Sequence, residues 1–284
     1  MLNELKIEVV ALTRNGCHDS LPYVSYVNCD MNDISSLPNI IDGRDFDCCF
    51  HFAWTGSAGP LRADYSKQLK NFVCSCNLVK ALERLGCKKL VFASSIMEYE
   101  CQLSIDEGII PSVNNIYSVG KLTAHLMCEL LAKKNNIGFY PVIISNIFGE
   151  GENSPRLINS TIKKILNGET PDFTDGKQMY DFIYIDDAVN AFIAIAENGL
   201  PFKSYYLGSL NPKPLKKYLI ELSECFNPPA TINLGAIQFD GVSVDYFDTF
   251  DIFAIKNDTG FVPKHSFKEG ITNTIRWIKS LEEN

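Results

Sequence analysis

Apolar residues in the first half of the chain recur in short continuous runs, and longer stretches of helical periodicity separate these runs. The runs predict strands at residues 7–13, 23–27, 46–53, 89–93 and 138–145. The periodic stretches predict helices at residues 62–85 and 117–134. Strands that alternate with helices of this length indicate a parallel sheet with right-handed crossover connections.

After residue 148 the alternation becomes less regular. Helices are predicted at residues 156–166, 186–197 and 266–281, and one strand at 182–185. We therefore expect an α/β protein with a doubly wound, parallel, Rossmann-like sheet and a smaller C-terminal substrate lobe. In this interpretation residues 1–147 form the sheet domain and residues 148–284 form the lobe, with residues 181–197 returning to the sheet domain. Ligands of such sheets bind at the carboxyl ends of the strands.

The composition argues against several functional classes. With 26 basic and 34 acidic residues the formal net charge is -8, which argues against a nucleic-acid-binding surface. No apolar run approaches the roughly 20 residues of a membrane span, and the start of the chain has no signal-peptide pattern. The ten cysteines form no Cys-x-x-Cys pair and the four histidines are scattered. We therefore expect no metal site and a reduced, cytoplasmic setting.

Tyr117 and Lys121 are four residues apart, which places both on one face of the helix predicted there. A free phenol has a pKa near ~10, but a nearby ammonium favours the phenolate, and such a pair can exchange a proton with a substrate hydroxyl. Ser95 follows the buried strand at residues 89–93, so we expect its hydroxyl in the same cleft. Structural tyrosines often show this spacing by chance. The position of the pair between two buried strands favours the catalytic interpretation.

An ordered set of short motifs extends from about residue 7 to the C-terminus. Ser95 lies in SSIMEYE, Tyr117 and Lys121 lie in YSVGK, and Asn146 lies in SNIFGEGE. The segments DFIYIDDAVNAF and TGFVPKHSFKEGITNTIRWI follow. In order and spacing the set resembles the extended short-chain dehydrogenases, the NAD-dependent epimerase/dehydratase family of sugar-nucleotide enzymes.

This resemblance implies a role for each matching residue. Tyr117 would be the general acid/base, and Lys121 would tune it and hold the nicotinamide ribose, so both would also contact the cofactor. Ser95 would hydrogen-bond the reacting oxygen, and Ser95 and Asn146 would contact the substrate. NAD or NADP would carry the hydride. The other residues expected at the cofactor are Arg14, Asp30, Met31, Ala53 and Asn71.

The resemblance also implies a nucleotide sugar as the substrate and a homodimer as the assembly. The dimer could form through the helix at residues 117–134, where Leu122, Leu126 and Leu130 make an apolar stripe. The same stripe could instead belong to the internal core. Both interpretations remain open from the sequence.

The front of the chain departs from this family. The family begins with a strand, a Gly-x-x-Gly-x-x-Gly turn and a helix, whose backbone amides hold the cofactor pyrophosphate. The sequence shows no such unit at its start, and the glycines at 56–59 and 149–151 are expected in ordinary loops. We expect a start placed too late, with roughly 20 to 25 residues missing; the alternative is a genuine fragment with poor cofactor affinity. A non-catalytic binding protein that keeps the fold is therefore the second functional hypothesis.

Two further departures bear on the cofactor and the reaction. Arg14 stands where an acidic residue would bind the ribose 2′-hydroxyl, which favours NADP, although an exposed turn arginine fits equally well. Ile96 and Met97 occupy the positions after Ser95 where dehydratases of the family carry an Asp-Glu pair, so 4,6-dehydration is disfavoured. A 4-epimerase and a 4-keto-sugar reductase remain, with Arg14 slightly favouring the reductase. Glu98 would face the other side of an extended chain and is expected to be structural.

The last departure concerns the substrate phosphates. Many relatives have an arginine before the Asp-Phe-Ile-Tyr strand that reaches the substrate diphosphate, and Tyr180 stands there in this chain. Arg156 or Lys177 could compensate. The sequence therefore offers fewer matching residues for a nucleotide-sugar substrate than for the redox chemistry.

Overall fold

A computed structural model of the chain describes residues 2, 5–14, 16, 20–41, 45–106, 108, 115–239 and 243–282. The strands are β1 (Val9–Thr13), β2 (Val24–Asn28), β3 (Cys49–His51), β4 (Lys89–Ala93), β5 (Gly138–Ile144), β6 (Asn146–Phe148), β7 (Asp172–Phe173), β8 (Met179–Tyr180), β9 (Phe182–Tyr184), β10 (Tyr205–Leu207), β11 (Lys213–Pro214) and β12 (Asn233–Leu234). The helices are α1 (Leu37–Ile40), α2 (Tyr65–Arg84), α3 (Glu98–Asp106), α4 (Asn115–Lys134), α5 (Leu157–Leu166), α6 (Ile185–Asn198), α7 (Leu215–Ser223), α8 (Tyr246–Thr249), α9 (Ala254–Thr259) and α10 (Phe267–Glu282). The 3-10 helices Met31–Ser36 and Gly59–Ala63 precede α1 and α2.

The larger sheet has four parallel strands in the order β10, β5, β4, β3. Leu90 and Phe92 of β4 pack into a core with α2 and α4. Val91 and Ala93 of the same strand pack into a second core with α6 and α9. Because successive side chains of a strand point to opposite faces, the two cores lie on opposite sides of the sheet. This arrangement is the predicted doubly wound α/β fold.

A second, two-stranded sheet is formed by β1 and β2. The strands are parallel, with Val9 opposite Val24 at one end. Within the described residues this sheet shares no strand pairing with the larger one. Val10 of β1, Val27 of β2 and Cys49 of β3 nevertheless pack against the same cluster of buried residues, which includes apolar residues of α2. The two sheets are therefore held together by a shared apolar core.

A separate core belongs to the C-terminal lobe. Phe148, Phe182 and Tyr184 pack there with apolar residues of α5, α7 and α10. β6 pairs in parallel with β9, and β9 leads directly into α6, which packs against the larger sheet. β10 lies further along the chain, yet it pairs with β5 in that sheet. The division into two lobes at residue 147 stays a prediction, and the contacts of β10 add residues 205–207 to the sheet side.

The positions of the main elements agree with the sequence pattern. An observed strand is shorter than predicted where it pairs with its neighbour over only a few residues. The strand predicted at residues 89–93 coincides with β4, and the long helices predicted at 62–85 and 117–134 correspond to α2 and α4. The strand predicted at 46–53 is shorter in the structure, because only Cys49–His51 pair with β4. Strand pairing, more than apolar composition, therefore decides where β3 begins and ends.

Other features of the described residues bear on function. No helix in this part of the chain is long and apolar enough to cross a membrane. The same residues contain no group of three or more His, Cys, Asp or Glu side chains that could hold a metal ion. The nine cysteines that the structure describes are all free thiols.

Candidate active site

Ser95 lies directly after β4, at the carboxyl end of the larger sheet. The backbone still follows β5 at this point, since the Ser94 N–H donates to the Val142 carbonyl at 2.8 Å. The Ile96 N–H likewise donates to the Ile144 carbonyl at 3.0 Å. Ser95 is therefore held between two anchored residues, at the strand ends where parallel α/β sheets bind their ligands.

Tyr117 and Lys121 lie one turn apart on α4, and both side chains are buried. The Ser95 side chain interacts with the Tyr117 hydroxyl and lowers its pKa in part. The Lys121 Nζ donates to the carbonyl of Ala93, the last residue of β4, at 2.9 Å. The helix is thus attached to the strand end at two points, and the three residues predicted to be catalytic lie together.

Burial dominates the protonation of both helix residues. It raises the pKa of Tyr117 above its ordinary value, although the Ser95 hydrogen bond and the charges of Arg62 and Arg156 lower it in part. It also lowers the pKa of Lys121 from 10.5 to about 7. The sequence predicted that Lys121 would lower the pKa of Tyr117. The structure differs because both groups are removed from water, and desolvation outweighs the neighbouring charges.

The segment between β3 and α2 forms one wall of the site. The ring of Trp54 lies 3.9 Å from the Lys121 Nζ, and its indole N–H donates to Gln68 Oε1 at 2.8 Å. The guanidinium of Arg62 lies 4.7 Å from the centre of the Tyr117 ring. Cation–π contacts of this kind hold a positive charge against an aromatic face. The wall therefore covers Tyr117 and Lys121 together.

Arg62 is a residue that the sequence did not single out. It lies in the 3-10 helix Gly59–Ala63, and its Nε and Nη2 atoms are buried with no hydrogen-bond partner among the described residues. A buried guanidinium without an acceptor is costly, and an anionic group on a ligand would satisfy it. The sequence placed it at the start of the helix predicted at residues 62–85, and its only available signal was its place shortly after the strand at 46–53.

Arg14 and Asp30 follow the carboxyl ends of the neighbouring parallel strands β1 and β2. The Asn32 N–H donates to the Asp30 carboxylate at 2.8 Å, and this bond caps the 3-10 helix that starts at Met31. The same bond lowers the pKa of Asp30, and the charge of Arg14 lowers it further. The structure thus places the three predicted residues at one edge of the smaller sheet. Their contact with a cofactor stays a prediction.

Ala53 and Asn71 belong to the wall that follows β3. Ala53 is exposed two residues after that strand ends. The side-chain amide of Asn71 donates to the Thr55 carbonyl at 2.8 Å and accepts the Thr55 N–H at 3.0 Å. Asn71 therefore supports the loop beside the catalytic residues. That Ala53 and Asn71 contact the cofactor stays a prediction.

Asn146 begins β6, two residues beyond the end of β5. Its side-chain amide donates to the Asp181 carbonyl at 3.1 Å, where the Asp-Phe-Ile-Tyr segment enters β9. Because β5 neighbours β4, Asn146 and Ser95 lie at the same edge of the larger sheet. The substrate contact proposed for Asn146 stays a prediction.

The residues after Ser95 offer no proton donor or acceptor to a dehydration. Ile96 and Met97 pack in an apolar cluster with Tyr206. Glu98 begins α3, so the chain turns into a helix here and is not extended. Its carboxylate is buried and hydrogen-bonded to the Ser94 hydroxyl.

The two residues that could replace the diphosphate arginine differ in position. Arg156 precedes α5 and forms an ion pair with Glu152 at 3.1 Å, and its charge lowers the pKa of Tyr117. Lys177 is exposed and forms an ion pair with Asp175 at 2.7 Å. Arg156 is therefore the better placed of the two for a ligand phosphate.

A nicotinamide cofactor fits the described residues in part. Ser95, Tyr117 and Lys121 form the kind of site at which a carbinol and a nicotinamide can meet. A strand, glycine-rich turn and helix that could hold a pyrophosphate are absent from the described residues. The glycine-containing segment at 55–60 leads into a 3-10 helix, and α2 starts only after its cap at Asp64. Residues 55–58 form a turn, as predicted, whereas Gly59 and Pro60 already belong to the 3-10 helix.

An apolar strip of exposed side chains runs along α2 and α4. On α4, Leu126 is 53% exposed and Leu130 is 64% exposed, with Met127 beside them. On α2, Leu69 and Val73 are also exposed. Leu126 and Leu130 of the predicted stripe are therefore not used in the internal core, whereas Leu122 is half-buried.

Comparison with known proteins assigns the chain to a family. The sequence model of the NAD dependent epimerase/dehydratase family matches residues 1–208. The chain therefore belongs to this family, as its motifs predicted.

Individual relatives agree with this assignment. The dTDP-4-dehydro-6-deoxyglucose reductase of Escherichia coli is 26% identical over 97% of this chain and 91% of its own length. A mutant UDP-glucuronic acid 4-epimerase from Bacillus cereus, solved with NAD and a UDP-sugar, has a TM-score of 0.78 and 19% identity, covering 99% of this chain and 94% of that chain. RMD from Pseudomonas aeruginosa, solved with NADPH, has a TM-score of 0.73 and 18% identity, covering 96% and 99%. The structural matches establish the fold.

Proposed function

We propose that the protein is an NAD(P)-dependent enzyme that acts on the C4 carbinol or ketone of a nucleotide sugar. We favour a 4-keto-sugar reductase over a 4-epimerase. The observation that carries the proposal is the buried group of Ser95, Tyr117 and Lys121 at the end of β4, in which Lys121 donates to the Ala93 carbonyl and Ser95 acts on the Tyr117 hydroxyl. The reductase is favoured by the exposed Arg14 and by the near full-length similarity to a 4-keto-sugar reductase.

In the reductive direction, Ser95 positions the ketone and Tyr117 donates the proton. The Ser95 hydroxyl donates a hydrogen bond to the ketone oxygen and fixes its position. The Tyr117 hydroxyl then gives its proton to that oxygen as the carbinol forms. A phenol with a raised pKa is protonated at neutral pH, which suits a general acid. The bound cofactor would supply the hydride, and Lys121 and Tyr117 would hold its ribose.

The choice of nucleotide cofactor follows from the edge formed by β1 and β2. Arg14 is exposed there, next to Asp30 and Met31, and a guanidinium suits a 2′-phosphate. We therefore favour NADP over NAD. Since all nine described cysteines are free, the same proposal places the enzyme in a reducing, cytoplasmic setting.

Arg62 supports an anionic substrate, and its removal should weaken binding. Arg62→Gln is expected to raise KM for the nucleotide sugar about 10- to 100-fold with a smaller change in kcat, as for the loss of one charged hydrogen bond. Steady-state kinetics measures this split. Arg276→Gln, on exposed α10, is the matched control and should leave KM unchanged. An unchanged KM in Arg62→Gln would show that Arg62 does not bind the substrate.

Two parallel incubations of the full-length protein distinguish the candidate reactions. A 4-keto-6-deoxy nucleotide sugar with NADPH should be reduced, with loss of absorbance at the nicotinamide band. UDP-glucose with NAD should be inverted at C4 if the protein is a 4-epimerase. If UDP-glucose is the only one of the two substrates that is converted, the protein is a 4-epimerase and the reductase proposal is wrong.

The second candidate function is a non-catalytic binding protein of the same fold. It is favoured by one observation: the described residues contain no glycine-rich turn for a pyrophosphate. Titration of the full-length protein with NADPH, followed by nicotinamide fluorescence, tests it. Absence of binding at millimolar NADPH would support this candidate against the enzyme.

The exposed strip on α2 and α4 supports a homodimer with a second copy of the chain. The same face on both copies can pack upon itself, as a two-fold interface requires. Leu126→Glu with Leu130→Glu is expected to yield monomers, since two charges would be buried in that interface. Light scattering after size exclusion measures the mass. Ile105→Glu, equally exposed but on α3, is the control, and a monomeric parent protein would contradict the proposal.

A further inference from the structure

A buried polar cluster that the proposed reaction does not use lies behind the catalytic residues. Its members are Glu98, His125 and Ser94, and all three side chains are buried. The His125 Nδ1 lies 2.7 Å from Glu98 Oε2, and the Ser94 hydroxyl donates to Glu98 Oε1. The Ser94 Oγ is also 3.4 Å from the His125 Nδ1. Buried charged and polar groups of this kind are expensive to keep, so the cluster calls for an explanation.

The cluster connects the two segments that provide the catalytic side chains. Glu98 begins α3 three residues after Ser95, and Ser94 directly precedes Ser95. His125 lies on α4 one turn beyond Lys121, on the same face as Tyr117. The contact between Glu98 and His125 therefore joins the strand-end loop to the catalytic helix below the reacting groups.

The groups around His125 define the local charge. From α4, Glu129 Oε2 lies 3.7 Å from the His125 Nε2, and Lys121 lies one turn away. From β4 and β5, the uncharged rings of Phe92 and Phe139 pack against the imidazole, with centroids 6.3 and 5.9 Å away. Glu98 is the carboxylate whose charge acts on the Lys121 ammonium. Glu129 is partly exposed and does not contribute to that effect.

We propose that Glu98 and His125 form a positioning pair, in which the His125 contact holds the buried Glu98 carboxylate against α4, where its charge favours the protonated form of Lys121. The pair also fixes the Ser95 loop against α4. Its catalytic consequence depends on the function proposed above, whereas its effect on the protonation of Lys121 does not.

The physical reason is the conflict between burial and charge at Lys121. Burial favours the neutral amine and lowers the pKa of Lys121 to about 7, while Glu98 acts in the opposite direction. Without the carboxylate, burial would act unopposed, and Lys121 would lose its proton already below neutral pH. A neutral lysine no longer supplies the positive charge that a phenolate at Tyr117 needs.

Direct titration of Lys121 tests the proposal without any substrate. The protein is labelled with 13Cε-lysine, and the Lys121 signal is assigned by its absence in Lys121→Met. Glu98→Gln keeps the shape and a hydrogen bond but removes the charge, and should lower the apparent pKa of Lys121 by about one unit or more. Glu129→Gln is the matched control and should leave the apparent pKa of Lys121 unchanged.

A second variant covers the case in which Glu98→Gln does not fold. Glu98→Leu combined with His125→Phe replaces the pair by apolar side chains, so that neither partner is left buried and unpaired. It should show the same fall in the Lys121 pKa. An unchanged Lys121 titration in either variant would overturn the proposal.

Kinetics supplies the catalytic readout. Glu98→Gln should lower kcat about tenfold at pH 7 with KM within a factor of two, and the pH profile of kcat should move with the Lys121 titration. A kcat profile that stays in place while the titration moves would refute the catalytic part of the proposal. If the parent protein turns over neither substrate, the proposed function fails, and the lysine titration still decides the role of the pair.

Discussion

Replacing Tyr117 by phenylalanine should lower kcat about 10²- to 10⁴-fold, the range expected for the loss of a general acid. Ring, packing and the cation–π contact with Arg62 are kept, so KM should change little. Only the hydroxyl bonded to Ser95 is removed. Steady-state kinetics with the keto-sugar substrate and NADPH measures both constants.

A matched tyrosine provides the control for this experiment. Tyr205 is fully buried on β10, and its hydroxyl interacts with Asp258 at 2.8 Å, away from the candidate site. Tyr205→Phe should reduce stability slightly and leave kcat within about twofold. Full turnover in Tyr117→Phe would show that another group provides the proton and that the proposed role of Tyr117 is wrong.

Lys121→Met should have two opposite effects, a loss of activity and a gain of stability. Turnover should fall about 10²-fold, because the charge and the donor beside Tyr117 are both lost. The free energy of unfolding at pH 7.5 should rise by about 2 kcal/mol, because a buried amine is replaced by an apolar side chain. Chemical denaturation together with kinetics measures the two effects on the same samples.

The stability difference between the parent protein and Lys121→Met should change with pH, which a packing effect alone would not cause. The pKa of Lys121 is about 7 in the folded protein, and an unperturbed lysine, as in the unfolded chain, has a pKa of 10.5. Between these two pH values the unfolded chain therefore holds a proton that the folded chain does not. Lys121 therefore makes the parent protein more stable as pH rises from about 7 towards 10.5. Lys121→Met should lack that contribution. An equal pH dependence in both proteins would contradict a buried Lys121 whose pKa is lowered to about 7.

The sequence carried enough information for the fold class and for the proposed catalytic trio. The alternation of buried runs and helical stretches defined β4 and α4, and a four-residue spacing on a helix places Tyr117 and Lys121 on one face whatever surrounds it. The position of Ser95 at the end of β4 then followed from the parallel sheet. These inferences depend on local periodicity, which a single sequence reports well.

The features that the sequence did not disclose depend on contacts between distant segments. Arg62 reaches Tyr117 across the wall that follows β3, and no local pattern marks that contact. Glu98 was expected to be structural, and its contact was not foreseen: the turn into α3 brings it to His125, which lies 27 residues further along. The exposure of Leu126 depends on which face of α4 the sheet covers. Desolvation of Tyr117 and Lys121 likewise depends on the assembled fold, which is why the direction of the Tyr117 pKa differed from expectation.

The most direct test of the proposed chemistry follows the hydride itself. The full-length protein is incubated with a 4-keto-6-deoxy nucleotide sugar and NADPH deuterated at the nicotinamide C4, and the product is analysed by NMR. The proposal predicts one deuterium at C4 of the sugar, with formation of this product reduced in Tyr117→Phe to the same extent as kcat. Deuterium at another carbon, or no incorporation while NADPH binds, would contradict hydride transfer to the sugar C4.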